Sequence, residues 1–325
     1  MQLPKQSNVL IIDAANLVFR AAYTFSGVKI KLKGTDISVS SGIIYQVISM
    51  LLGYYTRHRQ TATFFVLEGS KANNPRYKMH EYKSKRPTSR TIDITAEMLL
   101  LKEIIVMLGG ISVIPKRGEA DDGIAYIAHH LDDKRLTKCI ISNDHDMQAL
   151  LGKYVMIVKN DATVTRESFI AKFGFLPKHY SLFSAIAGDS SDNIPGVRGF
   201  GKKKTLDIFT KLAKAHTPVT IDNVIKEIVS TKTGTHMKPA DLLETIHRYY
   251  YLTHIRSDWP LTCYTYDSQR NHYSLTELLK ELRMSALLRD IHRIKEMTQV
   301  HTKYQDSIID TLQAPSKPAT KDLLI

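Results

Sequence analysis

The 325-residue chain has only two cysteines, Cys139 and Cys263. A disulfide framework and a zinc ribbon are both excluded, and a reducing compartment is expected. Long apolar runs are also missing. The most apolar stretch, 98–114, is interrupted by Lys102 and Glu103 and is too short to span a bilayer. The opening MQLPKQSNVLIIDAAN has no basic segment followed by a long apolar run, so no signal peptide, no membrane partner and a cytoplasmic location are expected. Acids are in short supply: 32 Asp+Glu stand against 45 Lys+Arg, a net charge of +13. Such an excess calls for a polyanionic partner, nucleic acid or an acidic membrane surface. No internal repeat is present. What remains is an ordinary globular composition, 43% hydrophobic and 24% charged, which argues against wholesale disorder. The length suggests about two domains and is enough to bury a core without staples.

The positive charge is concentrated. Residues 71–90 (KANNPRYKMHEYKSKRPTSR) hold seven Lys/Arg against Glu81, a local net of +6, and 198–204 (RGFGKKK) add +4. A lone basic run is often just a solvated face. Here Tyr77 and Tyr82 interleave with the cations, a combination suited to a single-stranded backbone with exposed bases.

Short apolar runs at 8–12, 63–67, 111–114, 138–142 and 154–158 read as strands. Helical spacing runs through 43–55, 95–108 (with Thr95 as its cap) and 119–131. Strands alternating with helices mean βαβ units and a parallel sheet, an α/β fold. After about residue 165 no further strand is expected, and 166–173, 179–187 and 203–213 read as helices. Ser274 and Glu277 form a capping-box pattern before Leu278, Leu279, Leu282, Leu287, Leu288 and Ile291, which keep helical spacing. The closing APSKPATKDLLI is Pro/Ala/Lys-rich and is expected to be disordered, with an apolar end that could serve a partner.

Acids sit where these strands end. Asp13 follows the first, Glu68 the second, Glu119, Asp121 and Asp122 open the helix after the third, and Asp144 and Asp146 follow the fourth. In a parallel open sheet the C-terminal strand ends form the ligand crevice, so these carboxylates should converge. Asp189 and Asp192, in GDSSDNIPGV, join them if that turn folds back. Each close pair of like charges costs roughly 4 kcal/mol at 4 Å and an effective dielectric of 20. Two divalent cations, Mg²⁺ or Mn²⁺, would cancel that repulsion and would support in-line displacement at phosphorus. Any one of Glu119, Asp121, Asp122 and Asp144 could instead cap a helix; the common sheet edge of all the acids weighs against that reading. Beyond them, Gly196, Gly199 and Gly201 let backbone amides approach a phosphate, and Lys202, Lys203 and Lys204 start the next helix, whose N-terminus also attracts anions. This turn lies between helices rather than after a strand, which favours sequence-neutral phosphate gripping over a dinucleotide site. An acidic, metal-loaded edge flanked by DNA-gripping cations describes a nuclease. EYKSKRP is expected over the crevice, with Lys83 and Arg86 on one face about a helical turn apart.

The motifs IIDAANLVFRAAY, EYKSKRP, GEADDGIAYIA, ISNDHDM and GDSSDNIPGVRGFGKK together resemble the 5′-nuclease family: the 5′–3′ exonuclease domain of bacterial DNA polymerase I and its stand-alone relatives, including bacteriophage flap endonucleases. The resemblance runs from about residue 9 to 209, and more weakly to 291. It implies a structure-specific 5′–3′ exonuclease or flap endonuclease that hydrolyses DNA by a two-metal mechanism in replication or repair. Asp13, Glu68, Glu119, Asp121 and Asp122 match the first metal cluster; Asp144, Asp146, Asp189 and Asp192 match the second. Tyr82, Lys83 and Arg86 match a helical arch (71–95) that passes the 5′ strand, with Lys83 facing the scissile phosphate, and Arg20 matches a nearby DNA-binding cation. Lys83, Arg86, Asp122 and Asp144 are thus the expected catalytic set. The glycine turn matches a helix–three-turn–helix (180–213) that holds duplex DNA and binds K⁺ through the carbonyls of Ile186, Ala187, Pro195, Val197 and Phe200. The implied architecture is a PIN-like parallel sheet domain (1–178), a helical DNA-binding region (179–298) and a flexible tail (299–325). The implied protein is a stand-alone monomer in a bacterial or phage-infected cytoplasm. Its partners would be DNA with a 5′ end or flap, RNA–DNA hybrids, and a replication protein bound through the tail. Glu68 departs from the family's usual Asp and reaches one methylene further. Two alternatives stand beside this reading. A PIN-type ribonuclease would usually have fewer acids and no glycine turn. A non-catalytic binder of branched DNA would be missing acids, and only position 68 is substituted.

Overall fold

Consecutive Val9, Leu10, Ile11 and Ile12 are apolar on both sides of an extended chain, which only a strand covered on both faces can satisfy. In this computed structural model that strand is the centre of the sheet. The structure describes residues 7–25, 27–58, 60–79, 82–86, 92–131, 134, 136–231, 237–265, 274–292, 294 and 308–312. In chain order the elements begin β1 (Ser7–Asp13), α1 (Ala14–Thr24), β2 (Lys29–Lys31), β3 (Ser38–Ser40), α2 (Ser41–His58), β4 (Gln60–Val66), α3 (Thr95–Met107), β5 (Ile111–Pro115), α4 (Ala120–His130), β6 (Leu136–Ile141), β7 (Val155–Lys159) and β8 (Ala162–Val164). The rest is α5 (Arg166–Phe173), α6 (Tyr180–Ala187), α7 (Lys202–Lys214), α8 (Ile221–Ser230), α9 (Pro239–Thr253), β9 (Leu261–Tyr264), α10 (Leu275–Glu281) and α11 (Ser285–Arg289).

The main sheet has the order β8-β7-β6-β1-β4-β5-β9. Its five central strands are parallel, and β8 and β9 close the edges antiparallel. In register, Ile12 lies between Phe65 and Ile141, and Asp13 lies beside Val66. The chain therefore leaves β1, β4 and β6 at neighbouring points. Since β4 and β6 flank β1 on opposite sides, this is also where the strand order reverses, the position at which open α/β sheets hold ligands.

Side chains alternate across the pleat. Val9, Ile11, Phe64 and Ile140 face α4 and the C-terminal helices, in a core that continues through Phe175, Phe183, Phe209 and Leu242. Leu10, Ile12, Phe65 and Ile141 face α1, α2, α3, α10 and α11. Full burial of each such side chain contributes about 1.5–3 kcal/mol. The residues on either side of position 178 thus share one core. That core also takes in Ile308 and Leu312, which lie on a helical segment at 308–312, and Tyr126 donates to the Leu312 carbonyl (3.0 Å). The expectation of a flexible segment from 299 is corrected there, because two apolar side chains find a place in the core. The closing APSKPATKDLLI lies outside the described residues.

Three further expectations change. A strand, β9, does follow residue 165; it is a four-residue edge strand with three half-buried side chains and an exposed Tyr264, so it carries no buried apolar run to betray it. Thr95 does not cap α3. It is the first residue of the helix, after Ile94 at the N-cap, and its amide (2.9 Å) and hydroxyl (2.6 Å) donate to Asp93. The described part of the arch is not an α-helix: it forms 3-10 turns at Lys71–Asn73 and Pro75–Lys78 and a tight turn at 82–86. Lys83 there has φ +54, outside the helical region. Residues 80–81 and 87–91 lie outside the described residues. The capping box of Ser274 and Glu277 forms as read. No helix among the described residues is long and apolar enough to cross a membrane.

Candidate active site

The first acids are placed by the ends of β1 and β4 and the start of α4. Asp13 accepts from the Asn16 amide (3.0 Å), capping α1, and from the Ser142 hydroxyl (2.9 Å). Glu68 accepts from the Ala120 amide (3.1 Å) at the N-terminus of α4, so its longer side chain does cap a helix. Burial, with Glu68 and Asp144 as negative neighbours, pushes the Asp13 carboxyl up to about 6. Asp121 is pushed well above the usual carboxylate range, by burial first and then by Asp144, Asp13 and Glu119.

The second acids come from the end of β6 and from the turn after α6. That turn folds back as the sequence reading required: Asp189 and Ile194 exchange backbone hydrogen bonds of 2.8 and 2.7 Å. Asp146, Asp189 and Asp192 each bring a carboxylate oxygen within 4.8 Å of the others. Burial, reinforced by Asp144, Asp189 and Asp192, pushes Asp146 from an ordinary 3.8 up to about 8. Burial also raises Asp192, against the pull of Lys83 and Arg86. Asp144, close to both groups, anchors the Asp146 amide (2.9 Å). Asp144, Asp146 and Asp189 line a cleft of about 800 Å³ that extends to Lys85, Gly188 and Lys202. The donors are all hard carboxylate oxygens, crowded and buried enough that Asp13, Asp121, Asp146 and Asp192 are all raised above their ordinary values. That chemistry fits divalent cations of the Mg²⁺ or Mn²⁺ type.

A stability consequence follows from these carboxyls. A group whose folded-state value is raised binds its proton more tightly folded than unfolded, so its contribution is lost as pH rises. For Asp146 that window runs from about 4 to about 8. The metal-free protein is expected to melt lower at pH 8.5 than at pH 5.5. Millimolar Mg²⁺ should offset most of that loss at the higher pH and little at the lower one. Scanning calorimetry with chelator and with Mg²⁺ checks this; a pH-independent metal effect would contradict it.

The arch cations stand on these acids. Glu119 accepts from the Lys83 ammonium and from the Tyr82 and Tyr77 hydroxyls. Burial works to raise the Glu119 carboxyl, but Lys83, the bond from Tyr82 and Arg76 outweigh it and keep it below its usual value. Lys83 Nζ also lies 3.7 Å from Asp192, and Arg86 donates to Asp192 (2.6 Å) and to the Ser191 carbonyl (3.2 Å). Lys83 and Arg86 therefore meet at Asp192 through a turn rather than along a helix face. Asp122 goes elsewhere. Both of its oxygens point away from the cluster to Arg76, which holds them at 2.7 and 2.8 Å. Arg76, counted in the sequence only as one cation of a basic run, is buried. Arg20 faces α2, donating to the Tyr54 hydroxyl (3.3 Å).

The glycine turn lies between α6 and α7. Gly196 has φ +72, and a Cβ there would stand 2.5 Å from the Gly188 nitrogen and 2.6 Å from the Ile186 carbonyl oxygen, so no side chain fits. Gly199 has φ +88 with open space around it. Gly201, Lys202, Lys203 and Lys204 are exposed at the start of α7. Of the five carbonyls considered for K⁺, Ile186, Val197 and Phe200 already accept from Val197 (2.8 Å), Phe200 (2.9 Å) and the Thr205 hydroxyl (3.1 Å). Pro195 and Ala187 pack around the Gly188–Gly196 crossing.

A parallel sheet with two acid groups at its switch point and cations above them is the arrangement of a metal-dependent phosphodiesterase. Residues 8–174 match the family described as the 5′-3′ exonuclease, N-terminal resolvase-like domain. The chain belongs to this family: it is a 5′ nuclease, and the acid-lined sheet edge is its candidate active site. It is 27% identical over 291 residues to a 5′-3′ exonuclease of Aquifex aeolicus (strain VF5), covering 87% of this chain and 95% of that one. It is also 27% identical over 257 residues to a thermostable DNA polymerase I of Thermus filiformis, covering 78% of this chain but only 29% of the polymerase. The fold is shared with bacteriophage T5 5′-exonuclease with bound zinc (TM-score 0.55, 17% identity, 94% of this chain and 100% of that one). It is shared as well with the catalytic core of Rad2 in complex with DNA (TM-score 0.51, 14% identity, 91% and 92% covered).

Proposed function

We propose that the chain hydrolyses phosphodiesters in DNA bearing a 5′ single-stranded end or flap, using two divalent cations, Mg²⁺ or Mn²⁺. The observation that carries the proposal is the pairing of two carboxylate groups, around Asp121 and around Asp146, with Lys83 reaching toward both. Glu119, Asp121, Asp13 and Glu68 would hold one cation, and Asp144, Asp146, Asp189 and Asp192 the other. When bound, such cations supply Lewis-acid polarisation of the phosphate and a nucleophilic water at neutral pH. The protein's own part is electrostatic. Lys83 and Arg86 present positive charge where a phosphate would enter between the acids; of the two tyrosines only the half-buried Tyr77 would offer its ring to an unpaired base, since Tyr82 is buried with its hydroxyl on Glu119.

Lys202, Lys203 and Lys204, with Gly196, Gly199 and Gly201, would grip the duplex backbone; this is the role given to 179–298, with 1–178 carrying the chemistry. K⁺ at the glycine turn, action on RNA–DNA hybrids, a monomeric state, a cytoplasmic setting and a replication partner for the C-terminal segment extend the same proposal. Changing Lys202 and Lys203 together to Ala is expected to weaken duplex binding alike across sequences and to lower the salt slope by up to ~2 units. Titrations at several salt concentrations on two unrelated duplexes check it; a loss confined to one sequence would reject phosphate gripping. The activity itself is tested with a labelled 5′-flap duplex. Cleavage with Mg²⁺ or Mn²⁺ that stops with chelator is expected, and cleavage persisting in excess chelator overturns the metal assignment.

A further inference from the structure

The chain's single tryptophan, Trp259, is packed behind the first acid group, with two guanidiniums near its ring. Arg76 lies 5.3 Å and Arg256 5.4 Å from its ring centroid. Arg76 Nη1 donates to Asp122 Oδ2 (2.7 Å), and Nη2 donates to Asp122 Oδ1 (2.8 Å) and to the His254 carbonyl (2.6 Å). Two backbone amides complete the carboxylate: Glu119 N–H on Oδ2 (2.9 Å) and Arg256 N–H on Oδ1 (2.8 Å). A carboxylate offers about four lone-pair sites, and Asp122, buried at 1% exposure, has four donors on them. Nothing is left for a cation.

We propose that Asp122, although it stands among acids with the spacing of metal ligands, is not one. With Arg76 and Trp259 it forms a positioning unit that aims Glu119 and Asp121 at the first cation. The linkage is direct. Asp122 holds the backbone of Glu119, and Arg76 Nη1 lies 3.7 Å from Glu119 Oε2. Asp121 rides on the same first turn of α4, whose direction is fixed once Asp122 is fixed. Gly118, at φ +80, closes over the unit so tightly that a Cβ would stand 2.3 Å from Asp122 Oδ2 and 2.4 Å from the Trp259 ring. The His254 carbonyl that accepts from Arg76, the Arg256 N–H that donates to Asp122 and the ring of Trp259 all come from the segment after α9. That segment lies beyond the residues matched by the family, so the C-terminal part of the chain builds the metal site from behind.

This inference rests on the two-metal reading, and Mn²⁺ binding separates the two. Wild-type protein is titrated with Mn²⁺ alone, by calorimetry and by Trp259 emission. Arg76→Lys keeps the charge but cannot make the two-pronged bond. It is expected to fold, to bind Mn²⁺ about 10–100-fold more weakly, as loss of a group that orients metal ligands does, and to lower the saturating cleavage rate with little change in DNA affinity. If Asp122 were a ligand, the same variant would free its lone pairs and bind Mn²⁺ more tightly. Unchanged or tighter binding therefore overturns the positioning role, whereas a wild type that binds no Mn²⁺ overturns the two-metal reading itself. Should Arg76→Lys not fold, Trp259→Phe carries the test by calorimetry, since it leaves the ion pair standing and thins only its backing. Several-fold weaker Mn²⁺ binding supports the unit, and wild-type affinity overturns it.

Discussion

Asp146→Asn is expected to lower cleavage of a 5′-flap substrate by ~10³-fold or more at saturating Mg²⁺, the upper scale for losing one preorganised electrostatic element, and to raise the melting temperature of the metal-free protein. The two effects share one cause. Asp146 opens the 3-10 turn Asp146–Leu150 at a point where three other carboxylates, Asp144, Asp189 and Asp192, face it. No hydrogen bond to its carboxyl is found among the described residues. A capping or packing role would leave some such bond, and its loss would destabilise. Asn keeps the shape and removes the charge, so the metal-free protein loses repulsion while the loaded protein loses a ligand. Strain held at a functional site is released by removing the functional group. Single-turnover cleavage and calorimetry on the same preparation decide it. A variant that is less stable without metal and still active would assign Asp146 to structure.

Much of this site is legible in the sequence because it depends on strand ends. An apolar run that stops at an acid, as at Ile12–Asp13 or Ile141–Asp144, fixes which end of the sheet the carboxylate occupies, and the parallel order then gathers those ends. What could not be read depends on long-range pairing of single polar groups. Arg76 and Lys78 look alike in a basic run, yet only Arg76 is buried, since Asp122 lies 46 residues away and Trp259 much further. The same blindness sent Asp122 to the metal set: its spacing from Asp121 is that of a ligand, but a carboxylate's direction is decided by the donors that meet it. β9 escaped for a related reason. An edge strand earns its place by pairing with β5, not by hydrophobicity, and pairing leaves no periodic mark in four residues. The glycine turn was the reverse case, since Gly188 and Gly196 meet backbone to backbone and only glycine allows that approach.

Lys83→Ala is expected to reduce the single-turnover rate at saturating DNA by about 10²-fold, the scale of one lost oxyanion donor, while the dissociation constant for the substrate changes little. Lys83 does not extend into solvent like an ordinary arch cation. Its ammonium is bonded to Glu119 and lies 3.7 Å from Asp192, so it bridges the two acid groups, and its main-chain N–H is fixed by the Asp192 carbonyl (3.0 Å). The left-handed backbone at Lys83 is held there by that bond and by Asn193, which donates to the neighbouring Ser84 hydroxyl (2.9 Å). A cation fixed between two sets of metal ligands is poised to meet the negative charge that grows on a phosphate between them, and the fixing means that little reorganisation is needed when it does. The competing role is local neutralisation, in which Lys83 serves only to offset Glu119 and Asp192. That role predicts tighter Mn²⁺ binding and a normal saturating rate once the lysine is removed, because the cations would take over its task. The transition-state role predicts a slow rate even with both cation sites filled. Single-turnover cleavage with enzyme well above the dissociation constant, repeated over rising Mg²⁺, separates them. Recovery of the wild-type rate at high Mg²⁺ would reduce Lys83 to a counter-ion, and a rate that stays about 10²-fold low across the series would establish it as a catalytic residue.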